Sequence, residues 1–312
     1  MRVAAIDQGT NTTRLLVADV DDGELEEVAK RLEITRLGEG VDSRRRLLPV
    51  PITRVRNVLT DYRREAEKLG SERILLVAPS AVRDAENGEA FLGEIEWSFG
   101  FETRLLSGEE EAELTFRGAT DGQLGSTLVI DPGGGSTEFI VGDAGGIRSR
   151  TSVDLGSVRL TERFVHSDPP SAEELDTAAA YVRATLPQAP QADRAVGVSG
   201  TITTLAALDL GLDEPEGLGT HGHRLTPGAV RAQRERLAAM PLALRERLHG
   251  LHPQRAPVIV AGAVLVEQIL DSFRLDALEV SERDILHGAA LAAAELPAPA
   301  EGAAPPGAYA CC

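Results

Sequence analysis

Two similar segments, one in each half of the chain, constrain its fold more than any other feature. Residues 5–19 read AIDQGTNTTRLLVAD, and residues 129–143 read VIDPGGGSTEFIVGD. Isoleucine, aspartate, glycine, threonine, valine and aspartate recur at the same offsets, and in both segments a turn rich in glycine and hydroxyl groups joins two apolar runs. Such self-similarity indicates a duplicated structural unit, here of about 120 residues. The sequence therefore predicts two domains built on one plan.

Each half of the chain alternates strand-like and helix-like segments. In the first half, the apolar runs at residues 3–7 and 14–20 predict strands, and residues 51–70 place apolar side chains at helical spacing before a final glycine. The run RILLVA that follows is typical of a buried strand. A further helix is predicted after Ser107, with Glu110 in the capping-box position. The second half repeats this plan, which predicts an α/β fold with two parallel or mixed sheets.

Charge and cysteine content exclude several classes of protein. The chain has 312 residues and a formal net charge of −17, which argues against non-specific binding to nucleic acid or to an anionic membrane. Its cysteines are the last two residues, Cys311 and Cys312, so no disulfide framework is predicted. No run approaches the length of about 20 apolar residues that a membrane span requires. We therefore expect a cytoplasmic protein without a signal peptide.

The stretch DPGGGSTEF, residues 131–139, combines acids, glycines and hydroxyls directly after an apolar run. Glycine costs roughly 0.5–1 kcal/mol inside a regular element, so three together indicate a sharp turn or a close approach to a ligand. Backbone N–H groups in such a turn bind anions, and hydroxyls add donors without adding charge. Phosphate is the expected ligand, and the flanking acids would then hold a divalent cation or a water. An ordinary hairpin turn is the alternative.

Further motifs run in order through most of residues 3–290. They read AAIDQGTNTTRLLVAD, ITRLGEGVD, VAPSAVRDAENGEAFL, LSGEEEAELTF, IDPGGGSTEFIVG, DLGSVRLTERF, VGVSGTITTLAALDLG, HGHRLT and LHPQRAPVIVAGAVLVE. Together they resemble the exopolyphosphatase and guanosine pentaphosphate phosphohydrolase family, which belongs to the actin-like and sugar kinase superfamily. The resemblance implies two duplicated actin-like (ribonuclease H-like) domains with an inter-domain cleft. The expected boundaries are residues 1–124 and 125–296, followed by a disordered tail at 297–312.

The resemblance also implies Mg²⁺-dependent hydrolysis of a terminal phosphoanhydride. Glu111 matches the family's catalytic glutamate, and Arg83 would bind the terminal phosphate through its planar guanidinium. Glu138 is a second candidate for activating the attacking water. Contacts to Mg²⁺ are expected from Asp131, Glu138 and Asp7. The residues expected to bind phosphate are Gly9, Thr10, Asn11, Thr12, Gly133, Gly134, Gly135, Ser136, Thr137, Gly200 and Thr201.

Several of these assignments have a purely structural alternative. The acids at 109–111 also suit a helix N-terminus through the helix dipole. Arg83 could form a surface salt bridge with Asp84 or Glu86. Residues 200–201, between a predicted strand and a predicted helix, could form a plain turn rather than a phosphate site. From the residues alone these alternatives stay open.

Two further groups of basic residues have alternative roles. His221, His223 and Arg224 lie in a loop that contains glycine, and for these histidines a solvated or loop-structuring role is favoured over metal binding. His252 and Arg255 either line the site or begin a turn. Neither group is assigned a catalytic role by its sequence.

The chain departs from the family pattern at positions close to the expected chemistry. Thr10 and Thr12 stand where serines are usual, which retains the hydroxyl groups. Glu113 replaces a frequent arginine two residues after Glu111, and this added negative charge would weaken phosphate attraction or raise the pKa of Glu111.

The leading hypothesis is an exopolyphosphatase that removes terminal phosphate from inorganic polyphosphate with Mg²⁺ and a glutamate-activated water. Hydrolysis of guanosine pentaphosphate is the alternative within the same chemistry. A non-catalytic alarmone or polyphosphate sensor is a third possibility. A sugar or acid kinase is disfavoured because no adenosine pocket is evident in the sequence. A homodimer is expected from the resemblance, and no nucleic acid or membrane partner is expected.

Overall fold

The computed structural model divides the chain into two compact units. One comprises Met1–Asp121 together with Ile285–Cys312, and the other comprises Gly122–Asp284. The residues that the structure describes are 1–10, 12–39, 41–78, 80–83, 85–120, 125–213 and 219–297, without the side chains of 42, 43, 80 and 81. The predicted disordered tail lies almost entirely outside these residues.

Strands and helices alternate along the described chain. The strands are β1 (Arg2–Gln8), β2 (Thr12–Asp21), β3 (Glu24–Ile34), β4 (Arg73–Ala78), β5 (Glu102–Leu105), β6 (Thr127–Pro132), β7 (Thr137–Asp143), β8 (Gly146–Val153), β9 (Arg194–Gly197), β10 (Arg224–Leu225) and β11 (Leu278–Val280). The helices are α1 (Val41–Arg44), α2 (Pro49–Lys68), α3 (Ser80–Arg83), α4 (Gly88–Phe99), α5 (Gly108–Thr120), α6 (Ser157–Phe164), α7 (Ala172–Thr185), α8 (Ser199–Leu210), α9 (Pro227–Ala238), α10 (Leu242–Arg245), α11 (Ile259–Phe273) and α12 (Ile285–Ala294), with a 3₁₀ turn at Pro253–Arg255.

The sheets of the two units share a five-stranded plan, to which the second sheet adds β10. In the first sheet the strand order is β3-β2-β1-β4-β5, and in the second it is β8-β7-β6-β9-β11-β10. In the first sheet β1 pairs antiparallel with β2 and parallel with β4. In the second sheet β6 pairs antiparallel with β7 and parallel with β9. The duplicated α/β architecture predicted from the repeat is therefore confirmed.

Both faces of the first sheet are covered, which explains the continuous apolar runs of its strands. Alternate residues of β1 and β2, such as Ala4 and Ile6, are buried in one core together with residues of α2 and α4. The intervening residues, such as Val3 and Ala5, lie in a second core with residues of α5 and α12. The helices of the unit thus hold the sheet in place from both sides.

The last described helix, α12, packs in the first unit although it follows the second in sequence. Its Gly288 touches the backbone of α5: a Cβ there would lie 1.9 Å from the carbonyl oxygen of Leu114. The buried His287 meets Glu27 of β3 at 2.8 Å. The sequence-based boundary at 296 placed this helix in the second domain. Its apolar residues instead cover one face of the first sheet. This packing joins segments far apart in sequence, so no local pattern predicts it.

The core of the second unit is formed around α11. Nearly every residue of this helix is buried, and it shares one core with residues of β6, β7, α6, α7, α8 and α9. Although α11 is strongly apolar, no helix in the described part of the chain is long and apolar enough to cross a membrane.

Candidate functional site

In the first unit, three predicted site segments follow three parallel strands. The turn at residues 9–12 follows β1, α3 with Arg83 follows β4, and α5 with Glu111 follows β5. The carboxyl ends of parallel strands meet at one edge of a sheet, where ligands bind in open α/β folds. The structure therefore gathers these segments at one edge. Asn11 lies outside the described residues.

The first turn is held from both sides by polar contacts. The carbonyl oxygen of Thr10 accepts a hydrogen bond from the N–H of Gly38 at 2.8 Å. A Cβ at Gly38 would lie 2.3 Å from Cγ2 of Thr10, so only glycine permits this approach. The buried hydroxyl of Thr13 bonds Oε1 of Gln8 at 2.8 Å and Oγ1 of Thr35 at 2.9 Å. The backbone of the turn is thus positioned before any ligand binds.

Asp7, predicted to contact Mg²⁺, is engaged by a residue that the sequence reasoning missed. Arg14 lies opposite Asp7 in the β1–β2 pair and donates to Oδ2 of Asp7 through Nε at 3.0 Å and Nη2 at 2.6 Å. The aspartate side chain is only 7% exposed. A guanidinium therefore already balances the charge of this carboxylate. The antiparallel register, which sequence alone does not give, is the signal that pairs the two residues.

Arg83 and Glu111 occupy neighbouring segments of the same unit. Nη1 of Arg83 donates to the carbonyl oxygen of Leu106 at 2.6 Å, just before α5 begins. The Arg83 side chain is exposed and forms no ion pair with Glu86 among the described residues; Asp84 lies outside them. One donor of the guanidinium is thus engaged with the backbone just before α5.

The three acids that begin α5 have different environments. The Glu110 carboxylate accepts from the N–H of Ser107 at 2.8 Å, and the Ser107 hydroxyl accepts from the N–H of Glu110 at 3.2 Å. The predicted capping box is therefore confirmed, and the bond from the Ser107 backbone lowers the pKa of Glu110. Glu110 serves the helix end, whereas Glu111 is half-buried in the next position. Glu110 is therefore a capping residue, and Glu111 remains the candidate catalytic residue.

In the second unit, the glycine turn joins β6 to β7. Gly133 N–H donates to the Ser136 carbonyl at 2.9 Å and closes the turn. Asp131 lies directly opposite Glu138 in the antiparallel pair, so both side chains share one face. The Ser152 hydroxyl donates to Oε1 of Glu138 at 2.8 Å and orients that carboxylate. Two oxygen-rich side chains therefore flank the glycines.

The carbonyl groups of this turn are bound by α6. The Gly133 carbonyl accepts from the N–H of Ser157 at 3.0 Å, and the Gly134 carbonyl accepts from Val158 at 2.9 Å. Nε of Arg159 donates to the carbonyl oxygen of residue 135 at 2.9 Å. Among the hydrogen bonds of the described residues, none uses the N–H of Gly134 or of residue 135 as donor. The turn thus has its acceptors occupied and two donors available to an anion.

The start of α8 forms a second anion-compatible element of this unit. Ser199 has φ +82°, and its hydroxyl donates to the carbonyl of Pro132 at 3.0 Å, linking α8 to the glycine turn. The guanidinium of Arg255 lies over Gly200, where a Cβ would fall 1.9 Å from Cζ of that arginine. The contact places the guanidinium of Arg255 beside Gly200, one of the residues predicted to bind phosphate. It agrees with the prediction that Arg255 lines the site.

The histidines singled out from the sequence have structural partners. Nε2 of His223 lies 2.8 Å from Oδ2 of Asp209. The N–H of His221 donates to Oε1 of Glu282 at 3.1 Å, and Nδ1 of His252 accepts from a backbone N–H at 3.2 Å. In the described parts of the chain, no three metal-ligating side chains of histidine, cysteine, aspartate or glutamate come together. These contacts agree with the loop-structuring role.

The donor set of the second unit nevertheless suits Mg²⁺ in one respect. This ion is usually held by one or two carboxylates together with substrate phosphates, rather than by an all-protein cage. Asp131 and Glu138 provide two carboxylates on one face beside an anion-binding turn. The residues present therefore fit a magnesium ion that binds with a phosphate substrate. Asp7 fits less well, because Arg14 binds its carboxylate.

Comparison with known proteins agrees with this arrangement. Residues 16–295 match the model of the Ppx/GppA phosphatase family. The chain is 42% identical to "Exopolyphosphatase 2" of Mycobacterium tuberculosis, over 94% of this chain and 98% of that protein. It is 30% identical to a "Guanosine-5'-triphosphate,3'-diphosphate pyrophosphatase" of Vibrio vulnificus, over 92% of this chain and 58% of that protein.

A solved structure shows the same fold. The crystal structure of the Aquifex aeolicus Ppx/GppA family member superposes with a TM-score of 0.83 at 32% identity, covering 94% of this chain and 97% of that one. This chain therefore belongs to the Ppx/GppA phosphatase family, and it is an enzyme of that phosphatase class. The family resemblance and the fold class stated from the motifs are both confirmed.

Proposed function

We propose that this chain is an exopolyphosphatase that hydrolyses the terminal phosphoanhydride of inorganic polyphosphate. The observation that carries the proposal is the glycine turn of the second unit, whose carbonyls are bound by α6 while two N–H donors face no protein acceptor among the described residues. The exopolyphosphatase relative that aligns over nearly its whole length supports the choice of substrate.

Each candidate residue has a role that its environment supports. Glu111, half-buried beside the capping acid, would orient and deprotonate the attacking water. Arg83 would bind the terminal phosphate, because its guanidinium is exposed and carries donors beyond the one used on Leu106. Glu138 is held by Ser152 and serves better as a metal contact than as a second base.

The remaining residues bind phosphate in this proposal. Residues 133–137 supply backbone and hydroxyl donors, and Gly200 and Thr201 supply donors at the start of α8. Thr10 and Thr12 add hydroxyl groups in the first unit. Mg²⁺, held by Asp131 and Glu138, would neutralise phosphate oxygens and so favour attack on phosphorus. Arg14 would keep the Asp7 carboxylate from repelling the substrate.

Hydrolysis of guanosine pentaphosphate is the second candidate, because the relative from Vibrio vulnificus carries the corresponding name. Phosphate release from long-chain polyphosphate and from guanosine pentaphosphate, measured side by side with Mg²⁺, tests the choice. We expect faster release from polyphosphate. Negligible release from polyphosphate with turnover of the nucleotide would reverse the assignment, and binding of both without turnover would indicate a sensor.

The expected homodimer is tested by light scattering of the purified chain.

A further inference from the structure

Three consecutive arginines, Arg44, Arg45 and Arg46, end α1 and begin the following loop. All three side chains are exposed. The chain as a whole has 49 acidic and 32 basic residues, so a run of three cations is a local reversal of its charge. Adjacent like charges repel one another, and the repulsion is relieved when an anion binds.

Other arginines of the same unit are neutralised by glutamates. On α2, Arg54 pairs with Glu39 at 2.7 Å, and Arg63 pairs with Glu67 at 2.8 Å. Arg56 of this helix likewise contacts a carboxylate, that of Glu94. In contrast, no ion pair within the described residues involves the guanidiniums of residues 44–46. Within the described residues, the exposed guanidiniums of this run thus differ from the paired arginines of α2; the side chain of Asp42 lies outside those residues.

A chain of backbone hydrogen bonds connects this arginine run to the first phosphate turn. Thr10 O accepts from Gly38 N at 2.8 Å, and Gly38 O accepts from Val41 N at 3.1 Å. Val41 O accepts from Arg45 N at 2.6 Å, and Arg45 O accepts from Glu86 N at 2.8 Å. The run is thus tied on one side to the turn and on the other to the segment that follows Arg83.

The backbone at the centre of the run is strained. Arg45 has φ +50°, in the left-handed region, which is disfavoured for a residue that carries a Cβ. Such conformations persist when surrounding contacts impose them, and they cluster at ligand-binding segments. The Arg45 carbonyl is bound by Glu86, so the backbone of the run is held in this conformation.

We propose that Arg44, Arg45 and Arg46 bind the distal phosphates of a linear inorganic polyphosphate chain whose terminal phosphate is at the catalytic residues. This inference rests on the proposed function and names its substrate class. Charge alone would also attract a nucleotide, but residues 36–48 contain no aromatic side chain on which a base could stack. Guanidinium groups bind phosphate oxygens through paired donors. The run therefore favours a ligand that presents phosphates only.

The test compares the double variant R44Q/R46Q with the control R236Q/R247Q. Arg45 is left unchanged because its backbone lies in the left-handed region, and a substitution there could alter the fold of the run. Arg236 and Arg247 are exposed residues of the second unit, so the control removes the same total charge from the chain. KM is measured for long-chain polyphosphate and for tripolyphosphate, which carries only two phosphates beyond its terminal one. In R44Q/R46Q we expect the ratio of the long-chain KM to the tripolyphosphate KM to rise about tenfold, corresponding to about 1.4 kcal/mol.

The salt dependence of the long-chain KM is a second readout. It should become shallower in R44Q/R46Q, because fewer cations contact the polyanion. A ratio within twofold of the control would overturn the proposal, as would an equal rise of KM for guanosine pentaphosphate.

A binding measurement separates this proposal from the proposed function. Fluorescence anisotropy of end-labelled long-chain polyphosphate reports binding whether or not the chain is hydrolysed. If the wild type releases no phosphate, the proposed function fails. Weaker binding by R44Q/R46Q than by the control would then still support the arginine run, and equal binding would refute it.

Discussion

Asp131 lies directly opposite Glu138 in the β6–β7 pair, so the two carboxylates share one face of the second sheet. The duplicated position in the first sheet differs, because there Asp7 lies opposite Arg14 and is bound by it at 2.6 Å. One substitution within a repeated hairpin therefore converts a pair of carboxylates into a carboxylate and guanidinium pair. The two hairpins are therefore chemically unequal, and the proposed function assigns Mg²⁺ to the second.

The first prediction follows from this inequality. D131N and E138Q should each raise the Mg²⁺ concentration needed for half-maximal phosphate release by about tenfold or more, the range seen when metal-site residues are altered. A magnesium titration of initial rates measures the effect. D143N, at the far end of β7, is the matched control. An unchanged titration in both site variants would remove these residues from the metal site.

D7N is expected to act on stability instead. Because Asp7 is buried and neutralises Arg14, the variant should lower the free energy of unfolding by about 3 kcal/mol or more, as expected when one partner of a buried ion pair is lost. Urea unfolding measures this change. A fully stable D7N protein with a tenfold higher magnesium requirement would instead make Asp7 a metal ligand.

The second prediction separates two adjacent glutamates of α5. E111Q should reduce kcat at least about 10²-fold with a small change in KM, because it removes the acid–base group. E110Q, the same substitution one residue earlier, should retain kcat and change the Tm little, since a glutamine at the capping-box position can still accept the hydrogen bond from the Ser107 N–H. Steady-state kinetics and thermal unfolding of both variants provide the measurement. Equal losses of kcat would assign the effect to the helix end rather than to Glu111.

The third prediction concerns the contact between α6 and the glycine turn. A Cβ at Gly156 would lie 2.2 Å from the carbonyl oxygen of Gly134, so G156A must displace the turn. We expect a loss of about 1–3 kcal/mol in stability and a higher KM for polyphosphate. G93A on α4 has open space around the added methyl group and should stabilise the protein by up to about 1 kcal/mol. If G156A bound substrate like the wild type, the turn geometry would not be essential.

The fourth prediction is a pH dependence of stability. Hydrogen bonds from the Ser167 hydroxyl and from the backbone of Ser171 and His166 lower the pKa of Glu174 from 4.5 to about 2. A lowered folded-state pKa contributes stability that is present above pH 4.5 and is lost as the pH falls toward 2. E174Q should therefore have a lower Tm than the wild type at pH 7, and the difference should shrink below pH 4.5. A Tm difference between E174Q and the wild type that is the same at pH 3 and at pH 7 would show that these hydrogen bonds do not cause it.

Much of the fold could be predicted from the sequence because its determinants are local. The apolar runs and the repeated turn indicated both sheets, and their strand orders match. The capping box at Ser107 and Glu110 begins α5 as its spacing predicts. The glycine turn was likewise recognised from composition, since consecutive glycines and hydroxyls are needed only where backbone must bind an anion or bend sharply.

The partners of individual site residues could not be predicted in this way. The role of Arg14 is not visible in the sequence, because its pairing with Asp7 depends on strand register. The placement of Arg255 over Gly200 joins residues far apart in sequence. The arginine run at 44–46 is visible in the sequence, but its connection to Thr10 through Gly38 is not.

By itself the sequence determined the duplicated α/β plan, the family and the chemical types of the residues at the strand ends. Periodicity, capping and glycine content act within a few neighbouring residues, so a linear chain displays them. Only the tertiary structure decided that α12 completes the first unit, that Arg14 neutralises Asp7 and that α6 binds the carbonyls of the glycine turn. These features depend on which distant segments come together to bury apolar area and to pair their polar groups. Such contacts form only in the folded chain, so local sequence patterns do not reveal them.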